Sequence, residues 1–90
     1  MKKYVIERDL PGIDTLCGAE LRAGVDRSNG ALAQLAPRVQ WIESHVVQDK
    51  TFCIYLAEDV AAVEDHARLS GFPASRISEV VRTIDPLTTG

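Results

Sequence analysis

The sequence predicts an α+β fold, a ferredoxin-like βαββαβ sandwich in which two helices cover one face of a four-stranded antiparallel sheet. Three observations carry this: four short β-favouring runs, two longer stretches of helical periodicity, and their order of strand, helix, strand, strand, helix, strand along 90 residues. Right-handed crossovers put both helices on the same side of the sheet and leave the other side bare. No repeat, low-complexity block or linker divides the chain, so a single domain over residues 1–90 is expected.

The first strand is expected over residues 4–8, stopped by the turn signal Leu10-Pro11-Gly12. Over residues 18–36, Leu21, Val25, Leu32 and Leu35 recur at helical spacing with Ser28 in the gap, and Pro37 closes the segment. Gly24 and Gly30 each weaken that helix by roughly 1 kcal/mol relative to Ala, so packing must hold it. Residues 38–47 alternate Ile42, Ser44 and Val46 with Trp41, Glu43 and His45, and Gln48-Asp49-Lys50 forms a polar turn. Residues 51–57 then alternate Phe52, Ile54 and Leu56 with Thr51, Cys53 and Tyr55, completing a hairpin. A second helix fits residues 59–70, lined by Val60, Val63 and Ala67 and ended by Gly71 and Pro73. Residues 77–85 return to strand character, with Val80 and Ile84 on one side and Pro86 as the stop.

This phasing assigns Phe52, Ile54, Leu56, Ile42, Val46, Val80 and Ile84 to the core beneath the helices, joined by Tyr4 and Ile6. A chain this short buries only about 60–65% of its unfolded surface, so any further apolar face is expected to find a partner.

Composition narrows the function classes. Hydrophobic residues at 46% and charged residues at 26% are ordinary globular usage, which argues against a disordered chain. A net charge of −3 and the lack of any basic run exclude a general nucleic-acid or anionic-membrane surface. The three apolar residues Tyr4-Val5-Ile6 lie between charges and are too few for a signal-peptide core, and nothing approaches the roughly 20 apolar residues of a membrane span. A cytoplasmic protein is expected. Cys17 and Cys53 fit neither a paired redox motif nor a zinc motif, and both are expected as free thiols.

On the bare face the same phasing gathers Val5, Glu7, Trp41, Glu43, His45, Cys53, Tyr55, Glu79 and Val81. Glu7, His45 and Glu79 converge at one end of the sheet, where carboxylates and an imidazole can hold a cation or act as acid and base. Glu43, Cys53 and His66 stand behind them as further metal donors, and Trp41 and Tyr55 line the proposed ligand cleft. An apolar patch of Trp41, Tyr55, Val5 and Val81 predicts a homodimer.

The segments 3–12 (KYVIERDLPG), 41–44 (WIES), 50–57 (KTFCIYLA), 65–68 (DHAR) and 71–79 (GFPASRISE) resemble a family of small bacterial proteins carrying a domain of unknown function, with an actinobacterial nickel-binding branch. The resemblance spans nearly the whole chain and implies a dimeric ferredoxin-like fold and nickel, or another divalent transition metal, as ligand. The nickel-binding branch is similar in carrying a histidine pair four residues apart near the end of the second helix. Here His66 holds the first of those positions and Ser70 the second.

Two function classes follow. One is a small dimeric binding protein with a divalent metal in the open-face cleft, held by Glu7, His45 and Glu79. The other is a cofactor-free enzyme of the dimeric α+β barrel kind, with Glu7 or His45 as general base on a small molecule lying against Trp41 and Tyr55. An RNA platform is set aside, because residues 50–55 lack the signature glycine and Glu7 and Glu79 repel phosphates.

Overall fold

The structure is a computed structural model that describes residues 1–88; the last two residues of the domain expected over 1–90 lie outside the described residues. Its elements are β1 (Lys2–Asp9), a 3-10 turn (Ile13–Thr15), α1 (Gly18–Leu35), β2 (Val39–Val47), β3 (Lys50–Ala57), α2 (Val60–Ser70) and β4 (Arg76–Glu79). The sheet runs β2-β3-β1-β4 with every neighbouring pair antiparallel, the strand order of a ferredoxin-like sandwich. No helix among the described residues is long and apolar enough to cross a membrane.

Each helix is closed by its own sequence. The Asp59 carboxylate accepts the Ala62 amide at 2.9 Å and caps α2, and Gly71 ends it in the left-handed region at φ 78°. The Cys17 amide donates to Glu20 Oε2 at 3.4 Å in a capping-box arrangement at the start of α1. Arg38 ties the entry of β2 to α2, donating to Glu58 at 2.6 Å and Asp65 at 3.3 Å. Those partners, the Glu58 hydrogen bond first, raise its pKa.

Both helices cover the sheet face that carries Tyr4, Ile6, Cys53, Tyr55 and Ala57. From α1 they bury Ser28, Ala31 and Leu35, and from α2 Ala62, Val63, His66 and Ser70. The face of β3 is therefore the reverse of the sequence expectation: Thr51, Cys53, Tyr55 and Ala57 lie inside, and Phe52, Ile54 and Leu56 stand half-buried on the open side. Both alternating sets of β3 are apolar enough to be covered, so hydropathy alone does not choose between them. Small Cys53 and Ala57 let the helices approach while Tyr55 fills the remaining space.

In β2 a bulge at Ile42 breaks the alternation, since Trp41 pairs with Tyr55 and Glu43 with Ile54. Trp41 thus joins the helix side while Glu43 and His45 remain on the open side, and Ile42 is 50% exposed. The last strand is also shorter than the pattern over 77–85 suggests. It stops at Glu79, and of the two residues expected in the core beyond it, Val80 is half-buried and Ile84 is exposed.

Candidate functional site

Two regions carry chemistry, one on each face of the sheet. On the open face, Glu43 and His45 are two residues apart on β2 and so project the same way. His45 Nε2 lies 2.7 Å from Glu43 Oε2, and both side chains are more than half exposed. His45 pairs across to Phe52, and Phe52 pairs across to Glu7. Glu7 and His45 thus share a row but sit two strands apart, roughly 10 Å between backbones. Glu7 is already engaged by Lys50 at 2.7 Å, and Lys50 also reaches Asp9 at 3.5 Å. The Glu7 hydrogen bond is the main reason the Lys50 ammonium holds its proton above the ordinary lysine value.

The remaining expected donors lie elsewhere. Glu79 pairs with Tyr4 and shares its face, where it meets Lys2 at 3.7 Å. Cys53 and His66 are buried on the helix side. The expected convergence of Glu7, His45 and Glu79 therefore does not occur within one chain, because β4 presents Glu79 to the opposite surface. Among the described residues no group of three or more His, Cys, Asp or Glu side chains is arranged to hold a metal ion. Within one chain the donor set does not fit a complete metal site.

On the other face a cavity of about 150 Å³ lies between α1, the 3-10 turn and the sheet. Trp41 and Tyr55, the expected cleft residues, do line a cleft, but this one, away from Glu7 and His45. The general base of the enzyme reading would therefore lie across the sheet from the aromatics meant to hold its substrate. The β2–β3 turn holds the segment that carries the 3-10 turn: Asp49 accepts the Gly12 amide at 2.7 Å, and the Asp49 amide donates to Asp14 at 2.9 Å.

The polar side of the cavity is a buried network that hydropathy in the sequence does not mark. Arg8 is 2% exposed; its Nη1 donates to the carbonyls of Pro73 at 2.8 Å and Phe72 at 3.4 Å, while its buried Nη2 has no partner. Its guanidinium carbon stands 5.9 Å from the Tyr55 ring centre and 6.0 Å from that of Phe72. Behind them His66 is fully buried, its Nε2 3.2 Å from Ser28 Oγ and its ring 5.1 Å from that of Tyr55. Burial raises the Tyr55 phenol above its ordinary pKa against the pull of Arg8 and Ser28, so it remains a neutral hydroxyl at neutral pH. Burial, then the charge of Arg8, hold His66 below its ordinary value and keep it neutral. The strand parity that takes Tyr4 and Ile6 inward takes Arg8 inward too, and that was the signal for it.

The sequence profile of a family described as nickel responsive protein SCO4226-like matches residues 4–80. The chain belongs to the SCO4226-like family. The match spans both helices and all of the sheet except the first two residues of β1. Among solved structures the chain is similar to the crystal structure of SCO4226 from Streptomyces coelicolor A3(2), with a TM-score of 0.74 at 14% identity, covering 91% of this chain and 99% of that one. At that identity the likeness establishes the shared fold. No curated protein sequence matches the chain.

Proposed function

We propose that the protein is a small cytoplasmic binding protein that works as a homodimer and takes a divalent transition metal of the nickel class at the open sheet face, with Glu43 and His45 as this chain's donors. The observation that carries the reading is the exposed imidazole–carboxylate pair at 2.7 Å, projecting from one strand with no other ion-pair partner among the described residues. The description of the SCO4226-like family as nickel responsive supports the choice of metal, and imidazole with carboxylate is a donor set suited to nickel.

Two donors are too few for nickel, so the rest must come from outside the chain. A two-fold dimer uses the same surface patch on both copies, and four donors from two chains make a sufficient set. The half-buried stripe of Phe52, Ile54 and Leu56 beside the pair supports a second copy on this face. Two unpaired cysteines suit a reducing compartment.

Nickel titration of tag-free protein by calorimetry, with molecular mass measured by light scattering, tests the reading. The expected result is a dimer that binds one nickel per two chains, with binding lost in His45→Ala and weakened in Glu43→Gln. Nickel binding at one equivalent per chain that survives His45→Ala, or a protein that takes up no nickel, would overturn it.

A further inference from the structure

We infer that the cavity between α1 and the sheet is a binding site for a small monocarboxylate carrying an apolar six-membered ring, with Arg8 as its anion anchor. This site lies on the opposite face from Glu43 and His45 and does not depend on the metal reading.

The first argument is charge. Arginine cannot shed its proton in a protein, and a buried charge without a counter-ion is costly. Arg8 is 2% exposed, yet no ion pair among the described residues includes it. Two backbone carbonyls satisfy Nη1, and the faces of Tyr55 and Phe72 offset part of the charge. Nη2 remains buried and unpartnered on a residue that lines the cavity. A carboxylate supplies the acceptor and the countercharge together, which a water molecule does not.

Shape gives the second argument. An apolar cavity of about 150 Å³ is the size that admits a benzene ring, and this one measures about 150 Å³. Its walls are Leu10, Ile13, Leu21, Val25, Trp41 and Phe72, while the hydroxyl-bearing groups Ser28, Thr51 and Tyr55 lie toward Arg8. Leu21 and Val25, at 37% and 39% exposed, rim an opening through which a ligand can enter. Arg27, 4.7 Å from the Phe72 ring centre, adds a second positive charge at that rim. Glu20 stands at the same rim and disfavours multiply charged anions, which selects a monoanion.

The test uses the whole chain with benzoate as probe and benzamide, its neutral isostere, as control. Trp41 lines the cavity and is the chain's single tryptophan, so its emission reports occupancy directly. Benzoate is expected to change that emission saturably and to raise the Tm, with benzamide at least about tenfold weaker, the difference a charged contact of about 1.4 kcal/mol makes. Arg8→Gln is expected to abolish the preference for benzoate. Because Arg8 is a core position whose loss can unfold the chain, Val25→Phe at the exposed rim provides a second arm and is expected to weaken both probes at least about tenfold by filling the space. Equal response to benzoate and benzamide, no saturation in the millimolar range, or unchanged benzoate binding in Val25→Phe would each overturn the assignment.

Discussion

Acidification from neutral pH should destabilise this protein through His66. The imidazole is fully buried on α2 against Ser28 of α1 and Tyr55 of β3, with Arg8 of β1 as the charge that faces it. Burial first, and Arg8 second, hold its folded pKa below the ordinary value, while the Ser28 backbone contact opposes them. Unfolded chains therefore take up a proton near pH 6.5 that the folded chain refuses. Stability is whole above that pH and falls as pH drops toward the folded-state value, by at most about 1.4 kcal/mol per pH unit. At pH 5.5 the loss is at most about 1.4 kcal/mol, a noticeable share of the 5–15 kcal/mol typical of a domain. Urea unfolding between pH 8 and pH 5.5, on the wild type and on His66→Gln, measures it, the difference between the two isolating this one group. A wild-type curve that is flat across that range, or a pH dependence that survives His66→Gln but disappears in His45→Ala, would refute the argument.

Ile6→Ala, at a fully buried position, is expected to cost about 2–5 kcal/mol in urea unfolding. Asp59→Ala removes the cap on Ala62 and should cost about 1 kcal/mol by the same assay. Gly71→Ala meets no neighbour within 4 Å but places a Cβ at φ 78°, so a loss of roughly 1 kcal/mol is expected from backbone strain alone. If the chain forms the proposed dimer, Phe52→Glu on the open face should leave the circular dichroism spectrum intact while giving a monomer in light scattering; a variant that remains dimeric would show that the copies meet elsewhere.

Element types and order were legible because each rests on local chemistry. Pro11-Gly12 stops β1, Asp59 and Gly71 bracket α2, and Gln48-Asp49 turns the β2–β3 hairpin, all by conformational preferences that operate over a few residues. The phase of β1 was readable too, since Tyr4 and Ile6 alternate with charged or lesser neighbours. On α2 the inward series is Ala62, His66 and Ser70 with Val63, not Val60, Val63 and Ala67. A small polar network under a helix leaves no hydrophobic mark in the sequence, so His66 and Ser70 were not visible as interior residues. The sites divided in the same way. Glu43 and His45 were found as candidates because their spacing alone puts them on one side, whereas Arg8 reads as a surface charge until the fold closes over it.

Local sequence signals specify four strands, two helices, their antiparallel arrangement and an acidic net charge. These follow from turn residues, periodicity and charge, each summed over short windows of chain. Only the tertiary structure decided which surface of β3 lies under the helices, where the bulge at Ile42 shifts β2, and on which face Glu79 emerges. Those choices compare two packings of nearly equal hydrophobicity, and the balance is struck by side-chain volume and cross-strand register between residues far apart in the chain. A one-residue change of parity carries every side chain of a strand to the other face, which is why Tyr55 and Cys53 lie beside Arg8 and His66 rather than beside His45.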